Sequence, residues 1–169
     1  MYRRIVSMDV NGLFCNASHQ HFAQVNEETL MTIAADLLHR HFQTLIDDNV
    51  QWQTLIADDL VWELPYAPSI GHPARLSGRE EVVGFVTWFL GAVEQFRFFD
   101  LRMHACADPD AAVAEVKAEA RIKSTGRVYR QAYVVFLQAT DSKIACLREY
   151  FDPVRAAQAM DAPILGLDS

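Results

Sequence analysis

The stretch Lys143–Met160, KIACLREYFDPVRAAQAM, reads as a β-strand that turns directly into a helix. Alternation along a strand places Leu147, Glu149 and Phe151 on one face. One carboxylate therefore lies between two large apolar side chains. Such an environment raises a carboxyl pKa and makes the group useful as an acid or a base. The strand ends at an Asp-Pro pair, in which the Asp is suited to cap the following helix and the Pro to its first position.

Composition sets limits on the class of protein. The 169 residues are 51% hydrophobic and fit one domain with a sizeable core. A net charge of −7 argues against nucleic-acid binding. No apolar run approaches the roughly 20 residues that cross a bilayer, and polar residues interrupt the N-terminal apolar segment. Three cysteines without a CxxC spacing indicate reduced thiols, so we expect a cytoplasmic protein that binds neither nucleic acid nor membrane.

The first half of the chain is mainly helical by pattern. Residues 1–25 show no clear period and are expected to form a disordered or dimer-docking arm. A long amphipathic helix follows from Asn26 to about Asp47, and a short one surrounds Trp52. After a short strand at 60–64 and a Pro- and Gly-rich loop, Ser77-Gly78-Arg79-Glu80 is typical of a capping box. The helix that it opens is apolar nearly all round, which predicts burial on several sides.

The second half changes to the strand period. Three long strands joined by tight turns follow, the first with Phe99, Leu101, Met103 and Ala105 on one face, and the stretch Lys143–Met160 adds a fourth strand and the last helix. This order predicts an α+β domain over residues 26–160, with an antiparallel sheet covered on one face by helices. Residues 161–169 form a tail.

Three motifs carry a resemblance to a known family: residues 59–68 (DLVWELPYAP), residues 77–80 (SGRE), and Lys143-Ile144 with residues 148–153 (REYFDP). In their order and spacing, these motifs resemble the SnoaL-like branch of the NTF2-like superfamily. That branch holds polyketide cyclases, ketosteroid isomerases and phenazine-biosynthesis A/B proteins. The resemblance implies a curved antiparallel sheet wrapped on N-terminal helices as a cone that encloses a pocket. It also implies a homodimer and chemistry without a cofactor or a metal.

The resemblance places the pocket glutamate of the phenazine A/B proteins on Glu149. Their pocket histidine aligns with Phe85, a departure that puts their condensation chemistry in doubt. From the residues, we select Glu149, Tyr133 and His72 as candidate catalytic groups, because a desolvated carboxyl moves protons and a hydroxyl or imidazole stabilises negative charge. The candidate ligand-binding residues are Trp62, Tyr66, Phe85, Tyr129, Leu147 and Phe151.

Each candidate also has a structural interpretation. Glu149 could form an ion pair with Arg130, and the aromatic residues could be ordinary packing. His104 and Glu119 are expected on an outward, charged face of the sheet. The alanines 112, 114, 118 and 120 are expected to face the helices and to leave space for a ligand.

These patterns favour a cofactor-free isomerase, cyclase or dehydratase that acts on a small, mostly apolar or aromatic ligand. One alternative is a pocket that binds such a ligand without catalysis. A second alternative is a dimeric assembly protein whose outer sheet face is the active surface.

Overall fold

The computed structural model describes residues 32–104 and 106–165. The predicted arm at 1–25 and the start of the first helix at Asn26 lie outside these residues. Four α-helices and six strands are present in the described part of the chain. They are, in chain order, α1 (Ile33–Thr44), α2 (Asn49–Leu55), β1 (Ile56–Glu63), β2 (Arg75–Ser77), α3 (Arg79–Ala92), β3 (Val93–His104), β4 (Ala111–Ile122), β5 (Val128–Thr140), β6 (Lys143–Tyr150) and α4 (Pro153–Met160).

The strands form one sheet in the order β2-β1-β6-β5-β4-β3. Strands β3 to β6 are neighbours along the chain and pair antiparallel, as predicted. Strand β1 pairs with β6 in parallel, which corrects the prediction of a wholly antiparallel sheet. The reason is that helix α3 and four strands separate β1 from β6, so no tight turn fixes their direction.

One face of the sheet packs against the hydrophobic core. Along β4 and β5 every second residue is buried, and α1 lies against this face of β4. The alanines 112, 114, 118 and 120 face inward as predicted, each at most 4% exposed. The expected space above them is absent, because α1 packs directly there and none of the four lines the main pocket. Their small size instead allows close approach of the helix.

Local chemistry explains two helix starts. Thr32 caps α1 by accepting from the Ala35 backbone N–H at 3.1 Å, and it has an extended backbone. The predicted helix therefore does not run unbroken through Thr32, and α1 begins at Ile33. Asp152 caps α4 as predicted, accepting from the backbone N–H groups of Val154 and Arg155.

Helix α3 differs from prediction at its start and in its burial. Gly78, with a φ of 85°, is the N-cap, and the Ser77 backbone N–H donates to Glu81 rather than to Glu80. The predicted capping box is wrong by one residue. Only Val82 and Val86 of this helix are buried. Val83, Phe85, Phe89 and Leu90 are partly buried against the core and Trp88 is exposed, so the prediction of burial on several sides is confirmed only in part.

Strand β3 changes phase at a bulge. Asp100 has a φ of 55°, and the pairing with β4 shifts between Phe99 and Arg102. Phe98 therefore packs on the core while Phe99, its neighbour, is 37% exposed. Placing Phe99 on the same face as Leu101 was wrong, because the extra residue reverses the alternation between them.

Candidate active site

Strand β6 positions Glu149 in the wall of a pocket. Its carboxyl lies on the core side with Leu147 and Phe151, while Arg148 points outward and pairs with Glu63. Val135 of β5 is the direct partner of Glu149 in the sheet, so Tyr133 is its diagonal neighbour on the same face, at roughly 7–8 Å between Cα atoms. Trp62 of β1, which pairs with Leu147, is the diagonal neighbour on the other side.

The pocket lies between the sheet and α3. It holds about 750 Å³ of space between protein atoms, with the open solvent at its mouth included. The lining is almost entirely aliphatic and aromatic, and among the described residues it contains no Lys or Arg. Seven of the nine predicted site residues line it: Trp62, His72, Phe85, Tyr129, Tyr133, Glu149 and Phe151.

Two predicted ligand contacts are not in this pocket. Leu147 is fully buried beneath it. Tyr66 is 50% exposed and packs against Tyr150 at 5.6 Å between ring centroids. The Pro-rich segment after β1 forms a 3₁₀ turn over Ala67–Ile70, and it is Ala67 and Ile70 of this turn that line the pocket.

The carboxyl of Glu149 has no compensating partner among the described residues. No hydrogen bond or ion pair reaches it there, and Arg130, its predicted structural partner, pairs with Glu119 at 2.7 Å instead. The residue is partly exposed, and it lines the apolar pocket. Burial raises its pKa from 4.5 to about 8. Most Glu149 side chains are therefore protonated at pH 7, with a minority ionised.

Two tyrosines form a hydroxyl pair beside this carboxyl. The hydroxyl oxygens of Tyr129 and Tyr133 are 2.6 Å apart, and either group can be the donor. Burial raises the pKa of Tyr129 to about 12 and that of Tyr133 well above its ordinary value, and the negative charge of Glu149 contributes to both shifts. Both hydroxyls remain protonated at neutral pH. The one that accepts within the pair keeps its own hydrogen for a ligand.

The mouth of the pocket carries three rings. His72 lies 5.1 Å from Trp88 and 6.3 Å from Phe85 between ring centroids. Trp88 is 48% exposed. Sequence reasoning missed Trp88 as a pocket residue, although it belongs to the helix that is apolar on nearly every side. An apolar face without a protein partner was the signal that could have found it.

His104 and Glu119 lie outside the pocket, as predicted. His104 Nε2 is 3.1 Å from Glu115 on the exposed surface, and Glu119 accepts from Arg97 and Arg130. Among the described residues, no group of three His, Cys, Asp or Glu side chains is placed to hold a metal. None of the described helices has the length and apolar content required to cross a membrane.

Fold and pocket together define an α+β protein of the NTF2-like class, with a mostly apolar pocket closed by a sheet and helices. Residues 38–147 match the model of the SnoaL-like domain, and the chain belongs to that family. The resemblance stated from the sequence is confirmed.

Two curated proteins and one solved structure show how far the likeness extends. The uncharacterized protein YesE of Bacillus subtilis is 26% identical over 138 residues, which cover 82% of this chain and 88% of YesE. The uncharacterized PhzA/B-like protein PA3332 of Pseudomonas aeruginosa is 31% identical over 98 residues, or 58% of this chain and 68% of that protein. The structure of a candidate isomerase from Bacillus subtilis has a TM-score of 0.69 at 24% identity, covering 76% of this chain and 93% of the other.

Proposed function

We propose that this protein is a cofactor-free enzyme of the isomerase, cyclase or dehydratase type, in which Glu149 moves a proton on a small, mostly apolar substrate. The observation that supports it is an unpartnered carboxyl in an apolar pocket, with a pKa of about 8 caused by burial. A carboxyl with a pKa near the working pH both takes and returns protons readily. The likeness to a candidate isomerase is consistent with this class.

The proposed step starts with a ketone whose α-carbon lies against Glu149. The ionised carboxylate takes the α-proton, the C–H electron pair forms the C=C bond of an enolate, and the negative charge moves to the oxygen. Tyr133 donates a hydrogen bond to that oxygen, because its hydroxyl lies in the pocket on the diagonal beside Glu149. Protonated Glu149 then returns the proton to the α-carbon, which is exchange, or, where the ketone has a β,γ double bond and forms a dienolate, to the γ-carbon. The second outcome is an isomerisation.

Tyr133 suits the role of oxyanion donor better than His72. Its hydroxyl is paired with Tyr129 in the buried part of the pocket, where a hydrogen bond to developing charge is strongest. His72 lies at the mouth among the rings of Phe85 and Trp88. We propose that His72 contacts the outer part of the ligand, with Trp62, Tyr129 and Phe151 as further ligand contacts.

Proton exchange tests this proposal without knowledge of the natural substrate. Apolar ketones such as 1-tetralone and 2-indanone are incubated in D₂O with and without the protein, and deuterium at the α-carbon is followed by NMR. We expect exchange well above the buffer rate. If the ketones raise the melting temperature but exchange no faster than in buffer, the protein binds such ligands without catalysis.

We further propose a cytoplasmic homodimer that joins through the outer face of the sheet. Val134 and Phe136 are 36% and 44% exposed there, and charges of both signs flank them in the sheet, Glu115 opposite Val134 and Arg148 opposite Phe136. Interleaved opposite charges around an apolar centre suit a self-complementary, two-fold interface. Free thiols at Cys106 and Cys146 agree with a reducing compartment.

The dimer is tested by sedimentation at micromolar concentration. We expect a species of twice the chain mass. We expect Phe136→Asp to shift it to the monomer, while Val50→Asp, at an apolar residue of α2 that is 79% exposed, does not. A wild-type chain that sediments only as a monomer would contradict this prediction.

A further inference from the structure

The indole of Trp62 carries a donor without an acceptor. The residue is 4% exposed, and Nε1 is buried with no hydrogen-bond partner among the described residues. Trp52, which packs 6.4 Å away, shows the contrast, because its Nε1–H donates to His41 Nδ1 at 3.0 Å. Buried indole N–H groups usually find a partner, since an unpaired one loses its hydration without compensation. Trp62 also forms part of the pocket wall.

The sheet register places Trp62 and Tyr133 on opposite sides of Glu149. Trp62 pairs with Leu147, two residues before Glu149, whereas Tyr133 lies beside Phe151, two residues after it. The three side chains follow a diagonal across β1, β6 and β5. Each step along β6 covers roughly 7 Å, because a strand rises about 3.3 Å per residue. The pocket wall thus has a hydroxyl donor, an acid and the indole side chain of Trp62 in a row.

We propose that Trp62 is a specificity-determining residue: the lining side chains shift when substrate binds, and the Nε1–H then donates to a hydrogen-bond acceptor on an uncharged substrate, at the end opposite the group held by Tyr133. The substrate class is therefore a neutral, mainly apolar compound with two separated acceptor oxygens, such as a diketone or a keto-ether. The assignment of the reacting end rests on the proposed function of Glu149, while the contact with Trp62 stands on the unpaired N–H.

The charge of the pocket supports a neutral substrate. No Lys or Arg among the described residues lines it, and Glu149 is the acidic group in its wall. An anionic ligand would bury a charge without a cation to pair with it and would face repulsion from ionised Glu149. A neutral carbonyl oxygen needs one donor, which Trp62 provides.

A matched pair of probes tests the contact. 1,4-Diacetylbenzene has two acceptor oxygens, and 4-isopropylacetophenone replaces one carbonyl by an apolar group of similar shape. Binding is measured by titration, and the indole N–H signals of the three tryptophans are followed by ¹H–¹⁵N NMR. We expect the diketone to bind about three- to tenfold more tightly, the range for one net hydrogen bond. It should also move the Trp62 indole proton downfield.

Variants separate the hydrogen bond from packing. In Trp62→Phe the two probes should bind with equal affinity, whereas in Trp88→Phe, a control at the mouth, the preference for the diketone should persist. The anion 4-acetylbenzoate should bind at least tenfold more weakly than the diketone. The proposal is overturned by an unmoved Trp62 proton at saturation, by the absence of binding, by a preference that survives Trp62→Phe, or by equal binding of the anion.

These binding measurements do not depend on turnover. A pocket without exchange activity would contradict the proposed function and leave the preference for the diketone in place. An active enzyme without that preference would contradict the role of Trp62 alone.

Discussion

Replacing Glu149 by glutamine is expected to reduce protein-catalysed proton exchange by about 10²–10⁴-fold, the usual contribution of one general acid–base group. Glutamine keeps the size and polarity of the side chain but neither takes nor returns a proton at these pH values. The measurement is deuterium uptake by 1-tetralone under equal protein concentrations. Ligand affinity is measured in parallel, because a loss of rate with unchanged affinity identifies a chemical role.

The matched control is Glu119→Gln. This carboxyl lies on the outer face, where the neighbouring Arg130 and Arg97 lower its pKa by hydrogen bonding to the charged form. Its loss changes a surface ion pair and leaves the pocket intact, so we expect exchange close to the wild-type rate. Equal losses in both variants would point to a general effect on folding and would contradict a special role for Glu149.

The same reaction should depend on pH in a defined direction. The base form of Glu149 is the minor species below its pKa of about 8 and the major species above it. The protein-dependent rate should therefore rise about tenfold per pH unit from pH 6 to 7, and level off above pH 8. A rate that is flat from pH 6 to 9 would rule out Glu149 as the base.

The part of the site within Lys143–Met160 could be predicted from sequence, because the patterns that indicate it involve residues close together in the chain. Alternation put Glu149 on the core face, and the Asp152 carboxylate and the Pro153 ring determine where the helix begins. Each of these features depends on residues a few positions apart. The structure adds the depth of burial and the absence of a cation near the carboxyl.

The neighbours of Glu149 across the sheet could not be predicted in the same way. Trp62 reaches it through a parallel pairing of strands that are more than 80 residues apart, and no turn signal reports such a pairing. Tyr133 was easier to place, because its strand leads to β6 through a short hairpin.

Phe99 and Tyr66 show two further limits of sequence patterns. A bulge at Asp100 reverses the phase of β3; Asp tolerates a positive φ better than most residues, but it also occurs in regular strands and does not by itself indicate a bulge. A 3₁₀ turn directs Tyr66 to Tyr150 on the outside, although the loop itself does reach the pocket. Both outcomes depend on backbone geometry that alternation cannot report.

The second large effect concerns stability. In the folded protein the Glu149 carboxyl stays protonated up to a pH of about 8. In the unfolded chain the same carboxyl loses its proton near pH 4.5. Between these values the folded state binds more protons, so its stability falls by about 1.4 kcal/mol per pH unit. The contribution is fully present below pH 4.5 and is lost as the pH rises through 8.

His41 has the opposite dependence. The side chain is 1% exposed and accepts a hydrogen bond from Trp52, and burial lowers its pKa to about 3. His41 therefore stays neutral in the folded protein, whereas in the unfolded chain it takes up a proton below pH 6.5. Stability therefore rises with pH from about 3 to 6.5 by a similar slope. The two slopes cancel between 4.5 and 6.5, and the contribution of Glu149 alone remains from 6.5 to 8.

Urea unfolding at pH 6.5 and pH 8 isolates that remaining slope. The wild-type protein should lose about 1.3 kcal/mol between these values, because the slope of about 1.4 kcal/mol per pH unit is halved at each end, where His41 of the unfolded chain and Glu149 of the folded protein are half-titrated. Glu149→Gln should show no such loss, and it should be the more stable protein above pH 8. Parallel curves for the two proteins would mean that the carboxyl of Glu149 is ionised in the folded state, and a permanently ionised base would move the pH dependence of exchange to lower values as well.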